Sequence, residues 1–350
     1  MNVAATTAKT LLRHARARAS GVLDHGDLLE RVETRMSELA GNRTTDAGAN
    51  MVHEHLETGG KRLRAKLALS ACEALGGRAD HAVDWAAAVE LLHNASLVHD
   101  DIQDGDRMRR GKAALWARYG SPQAINAGDL LLMLPFRALA RYPADQQVAL
   151  VQILAEYAER TVRGQISERD LTASTAGDWG AYFDAVAEKT GTLFALPVRG
   201  AAELARVSTE HATELARTFA SIGVLYQLQD DLLDLFDAKG RGSRGSDIYE
   251  GRVTAVVLTH LDLHPNDSSQ IFAVLCKPRE QTTPRDVAQL IERFVQKGCT
   301  QQLLERIELL ASELLDADAL RAAPGIHTVA QELVHRVLAP LDTVKGAHRE

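Results

Sequence analysis

Apolar residues recur at intervals of three and four along most of the chain, which is the spacing of one buried face of a helix. Leu28, Leu29, Val32 and Met36 show this pattern in a first predicted helix over residues 27–40. Prolines are few, and nothing in the chain is typical of a β-rich fold. The pattern therefore predicts an all-α protein, with further helices over residues 82–104, 122–140, 146–171, 178–203, 208–236, 284–297, 301–317 and 326–340.

Several residues interrupt this pattern. The polar residues 41–50 have no apolar periodicity and are predicted to form a loop. A helix that starts at Met51 is broken by Gly59 and Gly60, because glycine weakens a helix and lets the backbone approach a bound anion. Pro135 is expected to kink or end the helix in which it lies.

Two of the predicted helices end in aspartate clusters with the same DDxxD spacing. Residues i and i+4 of a helix share one face, so the first and last carboxylates of each cluster project together. Such a pair repels itself unless a cation lies between the two groups, and carboxylate oxygens at this spacing suit Mg²⁺. The predicted metal ligands are Asp100, Asp101, Asp104, Asp230, Asp231 and Asp234.

A single acidic helix end is often only a solvated surface feature, and a motif match is a hypothesis. Here each cluster follows an apolar run, and the first is followed closely by Arg109 and Arg110. Guanidinium groups match phosphate oxygens, which commonly complete the coordination of Mg²⁺. Two such clusters meeting across a cavity predict several Mg²⁺ ions around one diphosphate.

A basic motif precedes the first cluster. Lys61 and Arg64 are three residues apart, so they are predicted to share one face of the helix that follows Gly60. A diphosphate at the start of that helix would gain from the amide dipoles as well as from the side chains. Taken alone, such a run is more often a solvated basic turn.

These motifs, in the order in which they occur along the chain, resemble those of the trans-prenyl diphosphate synthases of the polyprenyl synthetase family, and of geranylgeranyl diphosphate synthases in particular. DDxxD and the following RRG match over residues 100–111, and FQxxDDxxD matches over 226–234 with Tyr226 in place of Phe. GGKRxR matches over 59–64, and a Lys-Thr pair matches at 189–190. The resemblance is weaker in the C-terminal part of the chain.

This resemblance implies a single bundle of about a dozen helices around a central active-site cavity. It implies a prenyltransferase that joins isopentenyl diphosphate head-to-tail to an allylic diphosphate, with about three Mg²⁺ ions per site. Neutralising the leaving diphosphate lets the allylic group ionise, and apolar walls keep water from the cation. The family also implies a homodimer, which the apolar C-terminal helices permit.

The resemblance assigns roles to individual residues. A lone histidine on an apolar helix is more often a core residue, but the position of His93 matches the isopentenyl site of the family. The implied catalytic residues are Asp100, Asp104, Lys189, Thr190, Gln227 and Asp230. The implied substrate ligands are Gly60, Lys61, Arg64, His93 and Arg110 for isopentenyl diphosphate, and Arg109, Lys189 and Arg252 for the allylic diphosphate.

The chain departs from the family pattern in the allylic pocket. Ser243 and Arg252 stand where lysines are usual, and Arg244 is a candidate to replace the lost charge. The acid of the GQxxD motif is Glu168 in this chain.

Product length is expected to depend on the helix that carries the first cluster. Ala95 and Ser96 are small, so a growing chain can pass them. One helical turn rises about 5.4 Å, which is close to one isoprene unit, and Leu92 lies about one turn deeper. Met133 and Phe136 on the next helix are predicted to form the floor, which favours a C20 product or a longer one.

Composition limits the other classes of protein. The net charge of −7 argues against general nucleic-acid binding. Cys72, Cys276 and Cys299 form no CxxC pair, which favours a reducing compartment such as the cytoplasm. No apolar run reaches the roughly 18 residues that a membrane span requires.

Residues 1–26 are predicted to be a basic N-terminal arm, and residues 27–350 one helical domain. Arg13, Arg16 and Arg18 precede the first acid, Asp24, a composition that also resembles an organelle transit peptide. A short basic helix or arm on a cytoplasmic protein is the interpretation favoured.

Two other functions remain open from the sequence. A terpene cyclase shares the metal chemistry but needs no isopentenyl site, so Lys61, Arg64 and Arg110 argue against it. A non-catalytic subunit of a heteromeric synthase would tolerate broken aspartate clusters, and both clusters are whole.

Overall fold

The computed structural model describes residues 21–171, 177–236, 244–342 and 344. These residues are mostly helical, which confirms the predicted all-α fold. The longer helices are α1 Gly26–Ala40, α2 Ala47–Leu56, α3 Leu63–Ala74, α4 Val83–Asp104, α5 Leu115–Tyr119, α6 Ser121–Leu139, α7 Ala144–Asp170, α8 Trp179–Val186, α9 Thr192–Leu204, α10 Thr209–Asp234, α11 Ser246–Tyr249, α12 Ala255–Leu263, α13 Ser268–Leu275, α14 Pro284–Gln296, α15 Cys299–Leu315, α16 Asp318–Arg321 and α17 Pro324–Leu338.

Shorter elements join these helices. Strand β1 (Met108–Arg109) pairs antiparallel with β2 (Lys112–Ala113) in a hairpin between α4 and α5. A π-helical turn, Ala187–Gly191, connects α8 to α9 without a break. Short 3₁₀ turns lie at Ala79–Ala82, Pro265–Asp267 and Arg279–Gln281.

The centre of the core is formed by α4 and α9. Both helices carry small or apolar residues on nearly every side, which is typical of a helix buried all round. α4 packs along α6, and α9 packs along α10. The Nε1 of Trp85 in α4 donates to the carbonyl oxygen of Pro197 in α9 over 3.0 Å, and Gly200 leaves room for the indole ring. The first aspartate cluster therefore stands at the end of a helix that the core fixes firmly.

One element boundary differs from the predictions. α2 begins at Ala47, so the predicted loop over residues 41–50 is wrong for its last four residues. Oδ1 of Asp46 accepts from the amide of Gly48 over 2.8 Å, an N-cap that the sequence could have signalled. α6 contains the buried Pro135 and continues to Leu139, which agrees with the predicted helix over residues 122–140.

The segment before α1 is anchored to the core. Leu23 is buried, and its amide donates to Oε2 of Glu332 over 3.1 Å. Nε2 of His25 lies 3.0 Å from Oγ of Ser70 in α3. The arm predicted over residues 1–26 is therefore wrong for its last residues, and residues 1–20 lie outside the described ranges.

No helix in the described ranges is both long enough and apolar enough to cross a membrane. Cys72, Cys276 and Cys299 are all free thiols. Burial raises the pKa of the Cys72 and Cys299 thiols to about 11, so both are unreactive core groups.

Candidate active site

The aspartates of the first cluster project from two different faces at the end of α4. Asp101 is buried, and its Oδ1 accepts from Nε of Arg109 over 2.7 Å and from Nη2 over 2.5 Å. The β1–β2 hairpin folds Arg109 back onto the helix to make this pair. Asp100 and Asp104, which share the other face, are left to act together.

Asp100 lies in a strongly charged environment. Burial raises the pKa of Asp100, and the nearby Asp104 and Glu168 carboxylates raise it further, while Lys189 opposes the shift. Two carboxylates held close in a desolvated position favour a divalent cation between them. Asp100 and Asp104 therefore fit Mg²⁺ by the chemistry of their oxygens.

Among the described residues, no three carboxylate, histidine or cysteine side chains are gathered closely enough to hold one ion by themselves. Mg²⁺ usually takes one or two carboxylates, and fills its other positions with water and phosphate oxygens. The arrangement fits a metal that binds together with a diphosphate better than a metal held by protein alone.

Two of the three carboxylates of the second cluster are buried and accept hydrogen bonds within the core. Asp231 is buried, and its Oδ2 accepts from the Tyr182 hydroxyl over 2.7 Å and from the Ala255 amide over 2.8 Å. Asp234 is also buried, and accepts from the Ser246 hydroxyl over 2.5 Å.

These bonds tie α10 to α8, α11 and α12. Burial and the Asp247 carboxylate raise the pKa of Asp231, so charge on this group is disfavoured as well. Asp231 and Asp234 therefore have structural partners, and both stay predicted metal ligands. Asp230 lies half-buried on the same side of α10 as Tyr226 and Gln227, and it too stays a predicted metal ligand.

Lys189 and Thr190 stand on the π-helical turn, a feature often found at functional sites. Nζ of Lys189 is ion-paired with Glu168 of α7. The Thr190 hydroxyl donates to Oε1 of Gln227 over 3.1 Å, and Nε2 of Gln227 donates to Oδ1 of Asp231 over 2.8 Å. The structure thus brings these predicted residues together in one network.

Close backbone contacts fix this turn. A Cβ on Gly164 of α7 would lie 2.2 Å from the amide nitrogen of Lys189. A Cβ on Gly223 of α10 would lie 2.7 Å from Cα of Gly191. Only glycine permits α7 and α10 to approach the turn this closely.

The basic motif forms a second, cationic region about two turns along α4 from Asp100, at His93. α3 begins only at Leu63, so the prediction that Lys61 and Arg64 share a helical face is wrong. Lys61 is exposed in the preceding turn. Gly60 has φ 143°, and a Cβ there would lie 2.6 Å from Nη1 of Arg110, so glycine is required for the arginine to pack.

Arg64 reaches inward from α3 to α4. Its Nη1 lies 3.0 Å from Nε2 of His93, and its guanidinium lies over the Phe194 ring at 5.2 Å. Burial and the nearby arginines lower the pKa of His93, so the ring is neutral. Among the described residues, Nδ1 of His93 and Nε of Arg64 have no hydrogen-bond partner, although both are buried.

Arg252, which replaces the usual lysine, reaches the first cluster. Its Nη2 lies 2.7 Å from Oδ1 of Asp104, and its Nε lies 2.6 Å from Oε2 of Glu250. Burial raises the pKa of Glu250 to about 7, and Arg252 opposes the shift. Nε of Arg244 donates to the carbonyl of Leu235, and its role as a replacement charge stays a prediction.

Ser243 lies outside the described residues.

The residues predicted to control chain length lie on α4 and α6. Leu92 and Ser96 share the face of Asp100, and Ala95 is buried beside them. Met133 and Phe136 are 56% and 39% exposed. Side chains that face outward do not form the floor of a tunnel within one chain, so that assignment is wrong.

A cavity of about 440 Å³ lies beside the Asp101–Arg109 pair. His55 and Lys112 line it, but Asp100 and Asp104 do not. Burial, with Arg109 and Arg110 nearby, lowers the pKa of His55 to about 3.

An acidic group of side chains and a cationic group along one central helix fit an enzyme that handles two diphosphates. The polyprenyl synthetase family model matches residues 46–294, and the chain belongs to this family. It is a prenyltransferase of the trans-prenyl diphosphate synthase type, as the motifs implied.

Individual relatives agree with this assignment. A short chain isoprenyl diphosphate synthase of Methanothermobacter thermautotrophicus is 33% identical over 253 residues, which cover 71% of this chain and 77% of that protein. A crystal structure of a geranylgeranyl pyrophosphate synthase has a TM-score of 0.79 and 25% identity, with 94% of this chain and 98% of that chain covered. A Caulobacter crescentus CB15 polyprenyl synthase, complexed with calcium and isoprenyl diphosphate, has a TM-score of 0.78 and 25% identity, with 95% and 97% covered.

Proposed function

We propose that this enzyme condenses isopentenyl diphosphate with an allylic diphosphate in a Mg²⁺-dependent reaction and gives an all-trans C20 product. The observation that carries the proposal is the pair of unlike regions beside α4. Asp100 and Asp104 form an acidic face, whereas Arg64, His93 and Arg110 form a cationic one. A cyclase that uses one diphosphate needs only the first region.

The allylic diphosphate belongs at the acidic face. Bound Mg²⁺ supplies Lewis-acid stabilisation of the leaving diphosphate. Lys189 and Arg252 add fixed positive charge, since both lie next to carboxylates of this face. The hydroxyl of Thr190 and the amide oxygen of Gln227 face the developing allylic cation from the π-helical turn and α10.

The isopentenyl diphosphate belongs at the cationic region. Lys61, Arg64 and Arg110 bind its phosphates, and Nδ1–H of His93 donates to them. Holding the double bond against the cation makes the step effectively unimolecular, so no protein base is required for bond formation. The released diphosphate accepts the proton that the new product loses.

The proposed length of the prenyl product is inferred from the side chains on one face of α4. Ser96 is small and stands one turn from Asp100, and Leu92 stands one turn further, so the first bulky side chain on this face lies two turns below the carboxylate. Each turn of about 5.4 Å accommodates roughly one isoprene unit. The small Ser96 in the first turn favours a product longer than C15, and the relatives described as geranylgeranyl diphosphate synthases favour C20.

A homodimer in the cytoplasm is part of the proposal. Ile125, Met133 and Phe136 are exposed on α6 at helical spacing and form an apolar stripe, which a second copy of the chain would cover. The three free cysteines support a reducing compartment. Met133→Glu is expected to give a monomer in sedimentation velocity, whereas Leu309→Glu, at an exposed position on α15, is expected to leave the dimer intact.

Product analysis tests the proposed reaction. The protein is incubated with Mg²⁺, labelled isopentenyl diphosphate and each of the C5, C10 and C15 allylic diphosphates, and the dephosphorylated products are sized. A linear C20 alcohol is the expected result. A hydrocarbon formed from an allylic diphosphate without incorporated label would establish a cyclase instead, and no turnover with any substrate would indicate a non-catalytic subunit.

A further inference from the structure

Two arginines from distant parts of the chain bind one oxygen of Asp104. Nη2 of Arg169, in the last turn of α7, lies 2.8 Å from Oδ1 of Asp104. Nη2 of Arg252, before α12, lies 2.7 Å from the same atom. A third guanidinium, of Arg279, donates to the backbone carbonyl of Asp104 and lies 3.4 Å from Oε1 of Glu250. No motif of the sequence pointed to Arg169 or Arg279.

We propose that Arg169 is a further diphosphate-binding residue, which is held on Asp104 in the metal-free enzyme and passes to the allylic diphosphate when Mg²⁺ binds. This inference rests on the proposed function, because it gives a role in the allylic site to a residue outside the family motifs.

The first argument is competition for one carboxylate. Mg²⁺ binds carboxylate oxygens at about 2.0–2.1 Å, so a metal that binds Oδ1 of Asp104 must displace at least one of the two guanidinium groups from that oxygen. Two arginines and a divalent ion around one oxygen would also repel one another, because the site is partly desolvated. Arg169 is the group to leave, since its side chain is 46% exposed and that of Arg252 only 26%.

The second argument is the position of Arg169 after its release. The neighbouring residue in α7, Glu168, pairs with Lys189, which is itself a proposed ligand of the allylic diphosphate. Nε of Arg169 lies 3.2 Å from Oε1 of Gln103, and Nε2 of Gln165 donates to the same oxygen over 2.7 Å. These polar contacts keep the guanidinium beside the acidic face, where its planar fork matches phosphate oxygens.

The competing explanation is an ordinary surface ion pair. Exposed pairs contribute at most about 1 kcal/mol and need no function. The loss of such a pair would not change the binding of Mg²⁺ or of diphosphate. The two explanations therefore predict different binding measurements.

The test compares Arg169→Met with the wild-type enzyme by isothermal titration calorimetry. Mg²⁺ is titrated alone, and inorganic diphosphate is then titrated at saturating Mg²⁺. Arg169→Lys keeps the positive charge but lacks the planar guanidinium group that binds two phosphate oxygens at once. Arg163→Met is the matched control, because Arg163 is an exposed arginine of the same helix whose partner is Glu159. Thermal unfolding of each variant verifies the fold.

Opposite shifts are expected for Arg169→Met. The dissociation constant of Mg²⁺ alone should fall by about threefold, because one competing cation is gone, and that of diphosphate should rise by about fivefold to tenfold. Arg169→Lys should lie between Arg169→Met and the wild type, and Arg163→Met should match the wild type. Weaker binding of both ligands would show a structural role, and no change in either would show a surface pair; each result overturns the inference.

Failure of the proposed function would look different. In that case the wild-type enzyme itself would fail to bind diphosphate with Mg²⁺ or to incorporate isopentenyl diphosphate. If the wild type does both and Arg169→Met lacks the opposite shifts, only the role of Arg169 is lost.

Discussion

The guanidinium of Arg64 donates to Nε2 of His93 over 3.0 Å, and this contact fixes the histidine as the tautomer protonated on Nδ1. An arginine is always a donor, so the ring nitrogen must accept. The remaining N–H is buried without a partner among the described residues, and is therefore available to a ligand. The contact with Arg64 makes the buried His93 ring a neutral hydrogen-bond donor, which is available to the proposed isopentenyl site.

Replacing His93 tests this role. His93→Leu leaves the buried Arg64 without its acceptor, so KM for isopentenyl diphosphate should rise about tenfold or more, which corresponds to about 1.4 kcal/mol. His93→Gln offers both an acceptor and a donor, and should keep KM within about threefold of the wild type. Steady-state kinetics with a saturating allylic substrate measure both. Equal KM values for the two variants would contradict the pairing.

The two neighbouring aspartates of the second cluster should respond differently to the same change. Asp230→Asn should fold normally and lose about 100-fold or more in kcat, because a metal ligand is removed from the site. Asp231→Asn should lower the free energy of unfolding by about 1–3 kcal/mol, because the amide presents a donor to Tyr182 or Ala255.

Urea denaturation and rapid-quench assays separate these effects. A stable Asp231→Asn protein without activity would support Asp231 as a metal ligand.

Ser96 provides a test of product length. Ser96→Phe places a bulky ring on the face of α4 about one turn below Asp100, so the main product should shorten from C20 towards C15. Met133→Ala should leave the product length unchanged, since Met133 faces outward on α6. Chromatography of the dephosphorylated products gives the answer. A shorter or longer product from Met133→Ala alone would place the floor at α6 after all.

His55 should make the stability of the fold depend on pH. Its folded pKa of about 3 lies below the ordinary value of 6.5, so the unfolded chain takes up a proton that the folded chain excludes. Stability is therefore full above pH 6.5 and is lost as the pH falls from about 6.5 towards 3. Between pH 6.5 and 4.5 the loss from this group is about 2–3 kcal/mol.

Urea denaturation across that range, with His55→Asn for comparison, measures this contribution. The free energy of unfolding of the variant should depend less steeply on pH, by the slope that the uptake of about one proton contributes. Parallel slopes for the two proteins would mean that His55 is protonated in the folded state.

The helices and both aspartate clusters were predictable because they depend on local spacing. Apolar periodicity located α4 and α10, and the DDxxD pattern located their ends. The start of α2 was missed although Asp46 is a good N-cap residue, so the signal was present. Pro135 lies inside α6 and does not end it, in agreement with the helix predicted over residues 122–140.

The division of labour within the clusters was not predictable. Asp231 and Asp234 have the residue type and spacing of metal ligands, but their partners Tyr182, Ser246 and Ala255 are brought to them by the tertiary fold. Arg169 gives no signal in the sequence, because its meaning depends on α7 ending beside α4. Local pattern identifies candidate groups, and long-range packing decides which of them are available.

The glycine contacts at the π-helical turn separate two properties of the enzyme. Lys189 and Thr190 are positioned by backbone contacts with α7 and α10, whereas the face proposed to set product length belongs to α4. Substitutions along α4 can therefore accumulate without moving the groups that assist ionisation. Natural or engineered substitutions on α4 can therefore change the size of the product without changing the reaction, as long as Gly164, Gly191 and Gly223 are kept.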